Sequence, residues 1–374
     1  MKTKISHSAL NKYLQCPRLY KHHYVDRLRG KTISGALLVG SAIDKSLNEL
    51  LISKDLKKAI EVFDKEFEFG YINDKRVHLR QSEQIVYAKK DIDWELLHEE
   101  DLKELNHYPF IGGKTAYDNI LDSKETNGFE NLKDLEKRYY NNANWLCLRR
   151  KSHLMLKAYA EKVLPKIKKV IEIQKRVLLA GKTGDEIEMY IDLIVEWEDG
   201  KKYVLDNKTS TMQYEQDSAS TSQQLIIYYY AVNKELPEQE KLDGVGFIVM
   251  NKQIQKNRIK ICEKCGYNGT GGRHKTCDKN VIGPMGHDER CNGEWKETIN
   301  PECKIDIILN QVTLPAQNLI VQSFKEANEG IKAGIFPPNV DSCEKYGVKC
   351  AMYNKCWNGK DDDLIKLEEK IEKK

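Results

Sequence analysis

Between Val170 and Ser210 the chain offers three extended runs in succession, IEIQKRVLLAG, EIEMYIDLIVEWEDG and KKYVLDNKTS, rich in β-branched, aromatic and alternating residues. Gly181 and the pair Asp199-Gly200 mark the turns between them. A helical run, SQQLIIYYYAVNK, and another apolar run, DGVGFIVMN, come next. Strand, strand, strand, helix, strand calls for an α/β core and excludes a helical bundle.

Two carboxylates stand inside those runs where burial is expected. Asp192 interrupts MYIDLIV, and Asp206 closes YVLD. An unpaired carboxylate in a low-dielectric interior is costly, so each needs a cation. Side chains two apart on a strand share a face, which puts Asp206 and Lys208 together, and adjacent strands can aim both carboxylates at one Mg²⁺ or Mn²⁺. Such an ion orients water and offsets charge gathering on a phosphodiester, while the lysine positions or helps deprotonate that water, or neutralises the pentacovalent phosphate. The competing arrangement is a turn at Asp206-Asn207, a solvated Lys208 and an Asp192 paired with any nearby cation.

The remaining sequence supplies the scaffold. A length of 374 residues allows one large or two modest domains, and 40% hydrophobic with 32% charged composition fits a soluble globular chain. No apolar run approaches membrane-spanning length, and MKTKISHSALNKYL lacks the apolar stretch of a secretory signal, so a cytoplasmic location is expected. Ser6 or Ser8 can cap a short helix before Pro17. LVGSAIDKSLNELLI places apolar residues at helical spacing with Asp44 among them, and residues 54–166 hold further helix-like stretches. A helix is expected from about Leu314 to Ala333, and a frayed one in KDDDLIKLEEKIEKK. The net charge of +4 says little, but residues 251–279 carry eight Lys or Arg against two acidic residues, a stretch that either meets phosphates or is a solvated loop.

Ten cysteines in a chain read as intracellular point to metals before disulfides. Cys262-x-x-Cys265 with Cys277 and Cys291 has the first-pair spacing of a zinc knuckle, and Gly266 suits the turn around Zn²⁺; Cys303, His274 and His287 are rival ligands. Cys343, Cys350 and Cys356 need a fourth thiolate, for which Cys16 in QCPRLY is the candidate; zinc and iron–sulfur both satisfy the chemistry. Cys147 has no close cysteine partner and reads as a buried thiol.

Asp192, the Asp206-x-Lys208 triplet and Gln224 with Tyr228 in QQLIIY together resemble the RecB-like group of PD-(D/E)xK nucleases, which includes nuclease parts of bacterial recombination complexes and CRISPR-associated exonucleases. The resemblance implies a restriction-endonuclease-like core with a mixed central sheet, and a role for Gln224 and Tyr228 in supporting the lysine and contacting DNA. The family often carries a metal-binding His in a G-x-x-x-H helix; this chain has Asp44 at that place after Gly40. Cys16-Pro17-Arg18-Leu19-Tyr20 and the late cysteine triplet resemble the split ligand set of a [4Fe-4S] cluster. The implied organisation is an amino-terminal arm (1–53), a helical subdomain (54–166), the nuclease core (167–254), a zinc-ribbon-like insertion (255–303) and a carboxy-terminal helix with the cluster cysteines (304–374). The implied activity is DNA exonuclease action on single-stranded or end-bearing DNA in recombination, repair or phage DNA processing. A structure-specific endonuclease and a noncatalytic DNA-binding or assembly protein are the alternatives, and composition alone permits RNA. No phosphate-binding G-x-x-x-x-G-K-[ST] loop is present, so any helicase motor, or recombination partner, is a separate protein. Nothing in the residues sets an oligomeric state.

Overall fold

The computed structural model describes residues 4–72, 75–78, 85–86, 92–106, 132–180, 186–269, 276–277, 279–282, 288–345 and 348–368. Its centre is a six-stranded mixed sheet of β1 (Lys4–Ser6), β2 (Ile167–Ala180), β3 (Glu186–Trp197), β4 (Lys202–Ser210), β5 (Gly244–Asn251) and β8 (Ile305–Asn310). β3 pairs antiparallel with β2 and β4, β4 runs parallel to β5, and β8 closes the edge antiparallel to β5. β1 adds to β3 in parallel, so the sheet draws on strands far outside residues 167–254.

Both faces of the sheet are covered. On one side lie α2 (Gly35–Ser53), α3 (Leu56–Glu68) and α4 (Leu132–Lys162), whose Leu47, Phe63 and Tyr159 pack with Leu205, Ile248 and Met250 of the sheet. On the other lie α1 (His7–Gln15), α5 (Gln223–Glu235) and α6 (Leu314–Lys332), where Leu10, Ile227 and Phe324 meet Val204, Phe247 and Val249. β5 therefore divides its side chains between two apolar layers, which is why GVGFIVM reads as an unbroken apolar run.

Local sequence signals set the helix ends. Ser6 Oγ accepts from the Ala9 amide at the start of α1, and Asp55 accepts from the amides of Lys57 and Lys58 at the start of α3. Thr313 caps α6, with Pro315 in its first turn. The turn at Asp199-Gly200 is present, with Gly200 at φ +81°; Gly181 lies outside the described residues. On the helical side, Arg149 makes a two-pronged bond to Asp64 at 2.7 and 2.6 Å, and His153 adds a third contact at 2.8 Å.

Between β5 and β8 the chain leaves the sheet as the antiparallel pair β6 (Gln255–Cys262) and β7 (Trp295–Glu302). One expectation is corrected at the carboxy-terminal end. Residues Leu364–Lys366 form a short strand against Leu28–Gly30, with Leu364 buried, instead of continuing a helix. Tertiary pairing overrides the helical preference of a Lys- and Glu-rich segment there. No described helix is long and apolar enough to cross a membrane.

Candidate active site and cysteine centres

The register of β3 and β4 brings the two sequence-marked aspartates together. Leu193 pairs with Leu205, so continuing the antiparallel ladder by one residue sets Asp192 opposite Asp206. β3 is shared at this point: Glu186–Glu188 pair with β1, and Leu193–Glu196 with β4. Asp192 lies in the fork between those two pairings, where the ladder opens and leaves room for a third body.

That room is a cavity of about 320 Å³ lined by Asp44, Asp192, Asp206, Lys208, Gln224 and neighbours from α2 and β4. Asp206 is 1% exposed, and its Oδ2 lies 2.5 Å from Lys208 Nζ. That contact is a charge pair without aligned hydrogen-bond geometry, since Oδ2 has no hydrogen-bond partner. Lys208 reaches on to Gln224 Oε1 at 3.4 Å, and Gln224 Nε2 donates to the Tyr228 hydroxyl at 3.2 Å. Tyr228 stands one turn after Gln224 on α5, so the helical i, i+4 spacing stacks the two side chains.

The electrostatics of the cavity favour a cation. Burial, a hydrogen bond with Asp206, and the charges of Asp206 and Asp44 push the Asp192 carboxyl far above its ordinary range. Burial and the Asp206 charge raise Asp44 as well. Burial opposes the Lys208 ammonium, but Asp206 and then Asp192 outweigh it, and the net shift is upward. Three carboxyl groups face a single ammonium, an oxygen-rich wall of the kind a hard divalent ion takes up.

Two residues around this cavity had not been singled out. Gln174 of β2 donates to both Asp44 oxygens, at 3.4 and 3.3 Å. Its backbone is left-handed at φ +51°, a strained state for a non-glycine residue that costs about 1–3 kcal/mol. His7 is 4% exposed, with its ring 5.1 Å from Tyr228 and 5.4 Å from Phe324. Burial lowers its pKa to about 4, with the Asp206 charge opposing and the Lys208 charge assisting, so its ring is neutral at ordinary pH.

The family description "PD-(D/E)XK nuclease superfamily" matches residues 4–106 and 111–356. The chain belongs to that superfamily. As a PD-(D/E)XK protein it is a nuclease by kinship, of a class that uses divalent metal ions. No curated protein matches it. Among solved structures, one titled "Crystal structure of SSO0001" aligns over 76% of this chain and 85% of its own length at 12% identity, with a TM-score of 0.25, too low to carry any argument.

This PD-(D/E)XK chain also carries two cysteine groups. Cys262, Cys265, Cys277 and Cys291 gather with all four sulfurs within 4.8 Å of one another. Sulfurs of Cys262 and Cys291 lie 3.5 Å apart, and those of Cys265 and Cys277 lie 3.7 Å apart. Four thiolates each at about 2.3 Å from one tetrahedral zinc stand about 3.8 Å apart, so the spacing fits. Burial opposes a thiolate at Cys262, yet amide hydrogen bonds from Cys265 and Lys264 outweigh it and bring the thiol down to about 7. Burial and the adjoining sulfurs push Cys277 up to about 12, a conflict that a bound cation relieves. Gly266 takes φ +68° in the turn after Cys265. A Cβ at Gly293 would come within 2.5 Å of Cys262 Sγ, so only glycine lets the loop close on the sulfurs.

The rival Cys303 is elsewhere, buried in the helical-side core with its sulfur 3.5 Å from the Asn251 carbonyl. His274 and His287 lie outside the described residues. Cys147 is a buried thiol that accepts from the Asp93 amide at 3.3 Å.

Cys16, Cys343, Cys350 and Cys356 line one cavity of about 190 Å³. Arg18 of the amino-terminal arm donates to the Phe336 carbonyl, Asn339 and Ser342 donate to the Gln15 carbonyl, and the Asn339 amide donates to Cys16 Sγ at 3.3 Å. Burial and the charges of the neighbouring cysteines raise Cys350 and Cys356.

Proposed function

We propose that the chain is a Mg²⁺- or Mn²⁺-dependent deoxyribonuclease of the RecB-like group, acting as an exonuclease on single-stranded or end-bearing DNA. The observation that carries this reading is the convergence of Asp44, Asp192, Asp206, Lys208 and Gln224 on one cavity, with Lys208 held between Asp206 and Gln224. Asp192 and Asp206 hold the metal, with Asp44 facing it from α2. The bound ion would polarise the phosphodiester and lower the pKa of the attacking water.

Lys208 positions or helps deprotonate the attacking water, or offsets charge on the pentacovalent phosphate. Gln224 fixes the direction of the ammonium, Tyr228 fixes Gln224, and Gln174 holds the Asp44 carboxylate toward the site. The order and end preference of cutting come from the resemblance, as does a place in recombination, repair or phage DNA processing.

Two further metals complete the reading. Cys262, Cys265, Cys277 and Cys291 hold Zn²⁺ in a zinc-ribbon-like insertion, and the cavity of Cys16, Cys343, Cys350 and Cys356 holds a [4Fe-4S] cluster.

Digestion of labelled linear and covalently closed single-stranded DNA by anaerobically prepared protein tests the activity. The exonuclease degrades the linear form only, and Asp206→Ala lowers kcat about a thousand-fold while DNA affinity stays. Cutting of the closed form makes it an endonuclease. Failure of metal-loaded wild type to cut any form makes it a binding protein.

A further inference from the structure

Cys350 stands between two adjoining cavities. On one side is the cavity of about 190 Å³ that it lines with Cys16, Cys343 and Cys356. On the other is a cavity of about 360 Å³ whose wall carries Lys12, His23, Arg29 and Lys349. Leu19, Ser342 and Met352 line both, so these cations approach the cysteine cavity from behind Cys350.

Lys12 owes its place to α1. Cys16 ends that helix with its amide donating to the Lys12 carbonyl at 3.0 Å, so the cation and the first cysteine stand one turn apart near a common side. The Lys12 ammonium lies 5.9 Å from the centre of the Tyr24 ring. Lys349 Nζ lies 4.3 Å from the centre of the Tyr353 ring, which belongs to the wall of the cysteine cavity. Burial and then the Arg29 charge oppose the Lys12 ammonium, whereas Cys350 supports it. Burial likewise opposes the Cys350 thiolate, whereas a Met352 amide bond and Lys12 support it, so the lysine and the cysteine are near enough to act on each other. His23, pushed down to about 4 by burial and then by Lys12 and Arg29, adds no charge at ordinary pH. Among the described residues neither wall includes an aspartate or glutamate.

Four thiols on one cavity, with main-chain amides donating to sulfur at Cys16 and Cys350, match the donor set of a thiolate-bound cluster. Such a cluster is a net anion, and one-electron reduction makes it more negative with no bond made or broken. Positive charge beside a ligand sulfur therefore stabilises the reduced form more than the oxidised one. We propose that the cations of the adjoining cavity, Lys12 foremost, raise the reduction potential of the iron–sulfur centre from behind Cys350 and make it a one-electron acceptor. This tuning rests on the iron–sulfur reading of Cys16, Cys343, Cys350 and Cys356. The electron comes from a low-potential one-electron donor, which is oxidised by that same electron. Lys12 dominates because it is half-buried, whereas solvent and salt screen exposed Lys349.

Potentiometric titration of the anaerobically prepared full chain with dithionite, followed by visible absorption and electron paramagnetic resonance, gives the midpoint potential. Lys12→Gln should make reduction about tenfold less favourable, a midpoint about 59 mV lower for a one-electron couple. Lys12→Arg keeps the charge and should hold the midpoint near that of wild type. Lys349→Gln should weaken reduction about twofold, or about 18 mV. Circular dichroism and iron content check that each variant folds and keeps its cluster. If Lys12→Gln fails that check, Lys349→Gln decides: the twofold loss supports the tuning, and an unmoved midpoint overturns it. A wild-type cluster that dithionite cannot reduce, or a midpoint that ignores both substitutions, overturns the tuning alone. Zinc in place of iron in the wild-type protein overturns the iron–sulfur reading and the tuning with it.

Discussion

The two cysteine quartets of this chain solve opposite problems. In the insertion, four sulfurs crowd within 4.8 Å around a point and form a small cluster of their own, separate from both apolar layers of the sheet. At the chain ends, four cysteines ring a cavity of about 190 Å³ and unite segments that start and finish the sequence. With the proposed metals bound, the first would staple a local loop and the second would tie the two arms together. Treated as cross-links, the staple joins Cys262 and Cys291, 29 positions apart, and restricts the unfolded chain by about 3–4 kcal/mol. The end-to-end tie closes nearly the whole chain and restricts it by about 5–6 kcal/mol.

That difference sets the order of the expected effects. Cys350→Ser should be the most damaging of the cysteine variants: iron content falls below about a tenth of wild type, and the arms separate. Thermal unfolding followed by circular dichroism should shift down by several kcal/mol; normal iron and an unshifted transition would erase the contrast between the centres. Cys277→Ser should lose zinc and expose the β6–β7 insertion to protease, yet keep iron, the main unfolding transition and cutting of linear DNA within about threefold. A global collapse of that variant would show that the staple is not local. Cys303→Ala is the smallest change, about 1 kcal/mol from a lost sulfur in the core, with both metals retained on elemental analysis. Loss of zinc on that substitution would return Cys303 to the ligand set.

Much of the carboxylate cavity was legible because the signals of its strand residues are periodic. Asp192 and Asp206 stand out as charges in apolar runs and Lys208 by strand alternation, whereas Gln224 with Tyr228 came from the family resemblance. Gln174 and His7 carry no such mark. Gln174 reaches Asp44 from a left-handed kink inside a strand, with irregular pairing earlier in that strand, and nothing local in IEIQKRV foretells it. His7 matters only because α1 packs across α5 and α6, a relation between segments more than two hundred residues apart. β1 is too short to register as a strand, with its three residues, and IDIILN at residues 305–310 went unassigned because it follows a stretch read as a cysteine-rich insertion.

The docking of the amino-terminal arm has a consequence for how the molecule comes into being. β1 and α1 are translated well ahead of β3, the strand that β1 joins, and the carbonyls that receive Tyr13 and Arg18 belong to Ile335 and Phe336. A segment made before its partners is thus seated only after them. A nascent chain released before those later contacts would lack one wall beside its carboxylate cavity, so truncated products of translation carry that cavity unfinished.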